Sequence, residues 1–237
     1  MTSSPRVRPG HSGTGPGPIT PDGCAVEMYL RMPPGNEPEV IRGALPPGAS
    51  VLELGCGVGR VTHPLVAHGF RVTAVDESPE MLAHVRGART ICSPIEELTG
   101  HGPTAGERFD CVLLGSFLVN TAEPATRRAL LEVCRRHVAD DGCVLIQREG
   151  ENWYRDVPRE SRLGDALVRV VSAEPAGPEL YSVHVEYVFP DAVWTQTFRT
   201  RRLDDAAFEA ALAEAGLAPA GRLTEDRIWV RARPVTA

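Results

Sequence analysis

The stretch Val51-Leu52-Glu53-Leu54-Gly55-Cys56-Gly57-Val58-Gly59-Arg60 decides the reading of this chain. Four residues, apolar but for one acid, lead into glycine at every second position. A short apolar run bounded by glycine reads as a buried strand. A glycine turn that passes into a helix brings main-chain N–H groups and a helix N-terminus to a ligand, with no Cβ in the way. The order is therefore strand, ligand loop, helix. A dinucleotide fingerprint, G-x-G-x-x-G, needs a third glycine where this chain has Arg60. Glu53, inside an apolar strand, needs a donor or a cation beside it. A bound amino group or the amides of the loop itself can serve.

The pattern extends outward from the loop. Residues 60–68 read as a helix closed by Gly69, with Pro64 bending or delaying its start. The next strand, 71–75, ends on Asp76, where a carboxylate can accept both hydrogen bonds of a ribose diol. Residues 79–86 read as a helix with Ser78 as N-cap and Pro79 at its first position. Further strands fall at 90–93, 109–114 and 143–147, with a helix over 124–138 that turns Leu130, Val133, Cys134 and Val138 inward. Strands separated by helices imply a parallel sheet with right-handed crossovers. After Gly150 the pattern changes to three strands, 166–174, 180–189 and 192–200, an antiparallel insertion. In the middle one Tyr181, Val183, Val185, Tyr187 and Phe189 share one face, and Ser182, His184, Glu186 and Val188 the other. A helix over 205–215, capped by Asp204, and a hairpin of 217–223 with 227–233 complete the chain.

At these residues the chain resembles the class I S-adenosylmethionine-dependent methyltransferases. Val51 to Gly59 matches their motif hydrophobic-hydrophobic-(Asp/Glu)-hydrophobic-Gly-x-Gly-x-Gly in full. Asp76 matches the acid that ends their second strand. Ser78-Pro79-Glu80-Met81-Leu82 looks like the stretch after it, where Met81 would pack on adenine. Phe109-Asp110-Cys111-Val112-Leu113-Leu114 matches the fourth strand. The resemblance covers 39–147, and 205–233 in pattern. It implies a Rossmann-like α/β fold: a seven-stranded, mostly parallel sheet with a C-terminal antiparallel hairpin, plus a small antiparallel β insertion after strand 5. It also implies S-adenosylmethionine as cofactor, held by Glu53, Gly55, Cys56, Gly57, Gly59, Arg60, Asp76, Glu77, Met81, Ser93, Pro94, Ile95, Gly115, Ser116 and Phe117. The chain departs from the pattern at Pro94, where many members carry an acid for the adenine amino group. Adenine then falls to the Ile95 main chain, Cys92, Ser93 or Glu96.

Substrate contacts are expected from Asn120 and Arg148 at the strand ends, Trp153 and Tyr154 in the loop after them, and Glu186 and Tyr187 in the insertion. Tyr29, with Met32, would join them from an N-terminal lid. Glu149 and His184 are the candidate bases, because methyl transfer needs a base only where the nucleophile must lose a proton. The expected activity is methylation of a small molecule with an aromatic ring, such as a natural product, a modified amino acid or a cyclic peptide. Two rivals stand beside it: a fold relative that binds the cofactor but acts as a cyclase or scaffold, and a nicotinamide-dependent oxidoreductase.

Composition bounds these readings. The 237 residues are 42% hydrophobic and 24% charged, enough for a full core. A net charge of −6 argues against a nucleic-acid partner, which needs a concentrated basic face. Six cysteines without a C-x-x-C pair read as reduced thiols, with neither disulfides nor a metal site. No apolar run is long enough for a membrane span, and no secretory signal opens the chain, so a cytoplasmic monomer or homodimer is expected. The expected organisation is a disordered leader over 1–23, a helical lid over 24–48, a cofactor domain of 49–150 with 203–237, and a substrate cap over 151–202.

Overall fold

Parity along the central strands decides which side of the sheet each side chain enters, because successive residues point to opposite faces. The computed structural model describes residues 8–150 and 152–235. In chain order its elements are β1 (Ser12–Thr14), α1 (Val26–Arg31), α2 (Glu37–Ala44), β2 (Ser50–Leu54), α3 (Thr62–Ala67), β3 (Arg71–Asp76), α4 (Pro79–Leu82), β4 (Arg89–Cys92) and β5 (Phe109–Leu114). There follow α5 (Pro124–His137), β6 (Val138–Gln147), β7 (Arg159–Leu163), β8 (Ala166–Gly177), β9 (Leu180–Val188), β10 (Val193–Arg201), α6 (Asp205–Glu214), β11 (Leu217–Arg222) and β12 (Trp229–Pro234). The chain divides into two units: residues up to 33 with 152–202, and 34–151 with 203 onward.

The larger unit holds the seven-stranded sheet, in the order β11-β12-β6-β5-β2-β3-β4. The strands β4, β3, β2, β5 and β6 are parallel; β12 returns antiparallel beside β6, and β11, antiparallel to β12, runs in the common direction again. This is the Rossmann-like arrangement with its antiparallel hairpin. Leu52, Leu54, Val112, Leu114, Val144 and Ile146 enter one core with α5 and α6. Val51, Val72, Ala74, Cys111, Leu113 and Leu145 enter the other, where Ile41 of α2 and Leu65 of α3 cover them. The chain steps from β2 to β3 to β4, then starts again at β5 on the other side of β2. That reversal puts a switch point between β2 and β5, and open α/β sheets bind ligands at the carboxyl ends there.

Several boundaries move. α3 begins at Thr62, so Pro64 sits in its first turn, where a missing N–H costs no helical bond. α4 is one turn only, closed by Ser78 Oγ accepting from the Met81 N–H at 3.1 Å. β6 starts directly after α5, so Asp141-Gly142 lies inside a strand, where the pairing with β5 carries a register shift.

The smaller unit is a five-stranded antiparallel sheet in the order β1-β10-β9-β8-β7, two strands more than the three expected. β7 lies at the edge and is largely exposed, so no apolar alternation announces it. The expectation of a disordered leader is corrected over 8–23; residues 1–7 lie outside the described residues. β1 pairs with β10, Ser12 opposite Thr197 and Thr14 opposite Thr195. Trp194 Nε1 donates to the Pro16 carbonyl at 2.8 Å, and a Cβ on Gly15 would stand 2.4 Å from Trp194 Cδ1. Gly15, one of the glycines that read as disorder, is what lets main chain lie against a buried indole. The expected lid over 24–48 divides as well. Met28 and Met32 pack with Phe189 and Trp194 in the smaller unit, while α2 belongs to the larger. Among the described residues no helix is long and apolar enough to cross a membrane.

Candidate functional site

The carboxyl ends of β2, β3, β4, β5 and β6 lie along one edge of the large sheet, and the loops after them carry most of the expected site. The β2 loop is fixed from below. The amides of Gly55 and Cys56 both donate to the Val75 carbonyl, at 2.8 and 2.9 Å, so the loop folds over the end of β3. Gly55, Gly57 and Gly59 have φ of +74°, +54° and +88°, a region that L side chains rarely adopt. Toward the place where a Cβ of Gly57 would point, the nearest atom is Met81 Sδ at 3.9 Å, which leaves open space above the main chain. Cys56 packs as a small buried residue, and burial pushes its thiol far up, which removes it as a nucleophile.

Glu53 is buried, and its partner is Thr62, whose hydroxyl donates to one carboxylate oxygen at 2.6 Å. Burial raises the Glu53 carboxyl to about 7, Thr62 opposes the rise, and the charge of Asp76 adds to it. Asp76 closes β3 and binds the site to itself: Oδ2 accepts from the Gly57 N–H at 2.8 Å and Oδ1 from the Ser78 N–H at 2.9 Å. A carboxylate that ends the second strand beside the glycine loop is placed where a ribose diol can donate to it. Arg60 stands 3.9 Å from Glu37 of α2. Beside the loop, Met81 is the buried residue of α4, and Ile95 Cδ1 lies 3.8 Å from the Cβ position of Gly55. Glu77 lends its carbonyl to the Cys92 thiol at 3.7 Å; Ser93 donates its amide to the Asp76 carbonyl and its hydroxyl to that of Pro94.

After β5 the chain turns sharply at Gly115. Ser116 and Phe117 are both left-handed, φ +51° and +57°. Leu118 then reaches toward the β2 loop, its Cδ1 2.9 Å from where a Gly55 Cβ would be. From the end of β6, Gln147 Oε1 accepts the Ser116 N–H at 2.8 Å, and the Glu149 N–H donates to Asn120 Oδ1 at 2.9 Å. Glu149 and Asn120 are both buried at this edge.

Arg148 has another task than the one expected. Its guanidinium donates to Asp205 Oδ1 at 2.8 Å and to the Leu203 carbonyl at 2.6 Å, and lies 4.7 Å from the Phe208 ring. It brackets α6, because parity turns it away from its neighbours Gln147 and Glu149.

In the smaller unit the expected residues separate. His184 Nδ1 pairs with Thr197 Oγ1 at 3.0 Å, and Glu186 accepts from Arg169 at 2.9 Å, both on the polar face of the sheet. Tyr187 lies on the opposite, apolar face with Tyr181, Phe198 and Trp153. Tyr154 stacks on Tyr181 with centroids 4.4 Å apart, and Trp153 meets Tyr154 edge-on at 5.2 Å, so these rings are largely spent on one another. Tyr29 packs beside Met28 and accepts from the Cys24 thiol at 3.7 Å.

Two residues of the site went unread in the sequence, Thr62 and Leu118, while Gln147, a candidate for the substrate side at the end of its strand, holds the Ser116 amide instead. For Thr62 there is a cue, a hydroxyl nine residues past a lone acid in an otherwise apolar setting. Leu118 depends on the shape of the turn after β5, whose two left-handed residues, Ser116 and Phe117, are not glycine and so do not announce it.

Comparison with known proteins agrees with this geometry. A methyltransferase-domain family matches residues 51–142. An uncharacterized methyltransferase of Mycobacterium tuberculosis is 38% identical over 114 residues, 48% of this chain and 46% of that protein. The match thus spans about half of that relative's length. The CcbJ methyltransferase of Streptomyces caelestis superposes with a TM-score of 0.67 at 19% identity, over 86% of this chain and 91% of that one. CalS10, an amino pentose methyltransferase of Micromonospora echinaspora solved with S-adenosylmethionine bound, gives 0.61 at 21% identity, over 83% and 88%. At such identities these two likenesses speak for the fold.

Proposed function

We propose that this member of the class I S-adenosylmethionine-dependent methyltransferases transfers the methyl group of its cofactor to a small-molecule acceptor. One observation carries the reading: the open three-glycine loop, the buried Glu53 carboxyl and the Asp76 carboxylate stand together at one sheet edge, beside the switch point. These groups suit the cofactor's ammonium, main-chain contacts and ribose diol, and Arg60, next to Glu37, suits its carboxylate. Met81 and Ile95 supply an apolar surface for adenine. When bound, the cofactor supplies a methyl already activated on a positive sulfur, ready for in-line displacement. The chain's own work is to orient the acceptor, exclude water and, where the nucleophile carries a proton, accept it.

Glu149 is the proposed proton acceptor, since it lies buried at the end of β6 on the same edge as the loop. His184 is engaged with Thr197 and is not required for it. A small acceptor is favoured over nucleic acid by the net charge of −6. Natural-product scaffolds and amino sugars are the classes to try first. An aromatic ring is not required, because Trp153, Tyr154 and Tyr181 are occupied with each other.

The test is a panel of small amines, phenols and amino sugars incubated with S-adenosylmethionine, with mass spectrometry of product and S-adenosylhomocysteine. A methylated acceptor with matching S-adenosylhomocysteine supports the reading, and Glu149→Gln should slow it about 100-fold. Cofactor binding without methylated product across the panel would favour a cyclase or scaffold. Preferential calorimetric binding of NADH would favour an oxidoreductase.

A further inference from the structure

Two amide side chains stitch the turn after β5 to the end of β6, and they point in opposite senses. Gln147, on the strand, accepts the amide of Ser116, on the turn, at 2.8 Å. Asn120, on the turn, accepts the amide of Glu149, just past the strand, at 2.9 Å. Both side chains are buried. Between these two bonds lie the consecutive left-handed residues Ser116 and Phe117. Neither is glycine, and a backbone of this kind persists only where its surroundings over-determine it. The local bonds, Leu118 N–H to the Gly115 carbonyl at 3.1 Å and Asn120 N–H to the Phe117 carbonyl at 2.8 Å, close the turn but do not anchor it. The side-chain amides anchor it.

What the anchored turn presents is Leu118. Its Cδ1 occupies the space in front of Gly55, so the β5 turn backs the β2 loop at the switch point. If the turn relaxed to an ordinary conformation, Leu118 would withdraw and the loop would lose its support.

We propose that Gln147 and Asn120 form a reciprocal clamp, a pair of positioning residues that holds the Ser116–Phe117 turn against the Gly55 loop and thereby sets cofactor affinity. Asn120, expected to touch substrate, is assigned to this clamp. The affinity half of the proposal rests on the cofactor reading above; the clamp itself does not. Each half of the clamp restrains the same short turn, so releasing one half loosens the other. Two unrelated hydrogen bonds would not behave in this way.

The experiment measures amide exchange by NMR on the full chain, together with calorimetric binding of S-adenosylhomocysteine. Gln147→Leu, nearly isosteric but without the acceptor, should speed exchange of the Ser116 amide about tenfold or more. It should also speed that of Glu149, whose own acceptor is untouched. Asn120→Leu should do the converse. Each should weaken S-adenosylhomocysteine about tenfold, with the cofactor KM rising and kcat nearly constant. The double variant should be little worse than either single one. Gln147→Glu, which keeps an acceptor oxygen, should restore protection at Ser116. If Gln147→Leu does not fold, Gln147→Asn, which withdraws the amide by one carbon, carries the same test. Faster exchange at Ser116 alone, with Glu149 unchanged, overturns the clamp. Faster exchange at both with unchanged affinity overturns its link to the cofactor. Failure of the unaltered protein to bind S-adenosylhomocysteine would overturn the cofactor reading and that link, leaving the exchange coupling to decide the clamp.

Discussion

Thr62 donates a 2.6 Å hydrogen bond to Glu53, and both side chains are buried. The pair makes a carboxyl that titrates near neutrality. Its ordinary value is 4.5 and burial raises it to about 7 in the fold. A carboxyl raised on folding stabilises the fold when protonated. That contribution is fully present below about 4.5 and is lost as pH rises through about 7, roughly 3 kcal/mol in all.

Cofactor-free protein should therefore lose stability from this group between about pH 4.5 and 7, and Glu53→Gln should remove that component. Denaturant midpoints across the window check it. A bound ammonium would favour the charged form, so S-adenosylhomocysteine should bind more tightly as pH rises through about 7, releasing a proton. The release appears as a buffer-dependent calorimetric enthalpy. Thr62→Val should move the step to higher pH, since Thr62 is what opposes the rise. A step left in place by Glu53→Gln would assign the titration to another group.

The core of the fold was legible because its cues are local. Val51–Arg60, Asp76 and the Ser78 cap each announce themselves within a few residues, and parallel strands between helices leave few topologies. The smaller unit was half legible. Alternation in 180–189 is plain, but β7 has none, and β1 is a three-residue edge strand followed by Gly15, which lies against Trp194, 179 positions further on. Site residues divided in the same way. The glycine loop depends on chain geometry and could be read. Whether Arg148 faces the ligand edge or α6 depends on a partner, Asp205, far along the chain. Glu186 and Tyr187 are neighbours in sequence and face opposite ways, so the period of two that the alternation carries keeps them from contacting one substrate together.

The N-terminal segment should fail by a single methyl group. Gly15 has φ +125°, and an alanine Cβ there would meet Trp194 and the Val193 carbonyl, at 2.4 and 2.9 Å. Gly15→Ala should release the segment from the small sheet, exposing Trp194 with a red-shifted emission and opening residues 8–23 to protease. Gly43→Ala is the control. Gly43 lies inside α2 with no atom within 4 Å of its Cβ position, so alanine there should add up to about 1 kcal/mol. An unchanged spectrum for Gly15→Ala would mean that the segment does not depend on this contact.

Arg148 separates a structural from a substrate role most sharply. Its head group holds Asp205 and the Leu203 carbonyl, and only 4% of the residue is exposed. Asp205 also pairs with Arg222 at 2.7 Å and Arg227 at 2.9 Å, so removing Arg148 leaves the acid partly compensated. Breaking a buried pair usually costs about 3–5 kcal/mol, and the two remaining arginines should bring Arg148→Ala nearer to about 2. Arg148→Lys should recover only part of this, because an ammonium cannot span a carboxylate and a carbonyl as a planar guanidinium does. Acceptor KM, measured below the melting range, should stay within about twofold for both, since the lost interactions do not involve the acceptor. A large rise in KM with an unchanged melting temperature would return Arg148 to the substrate site.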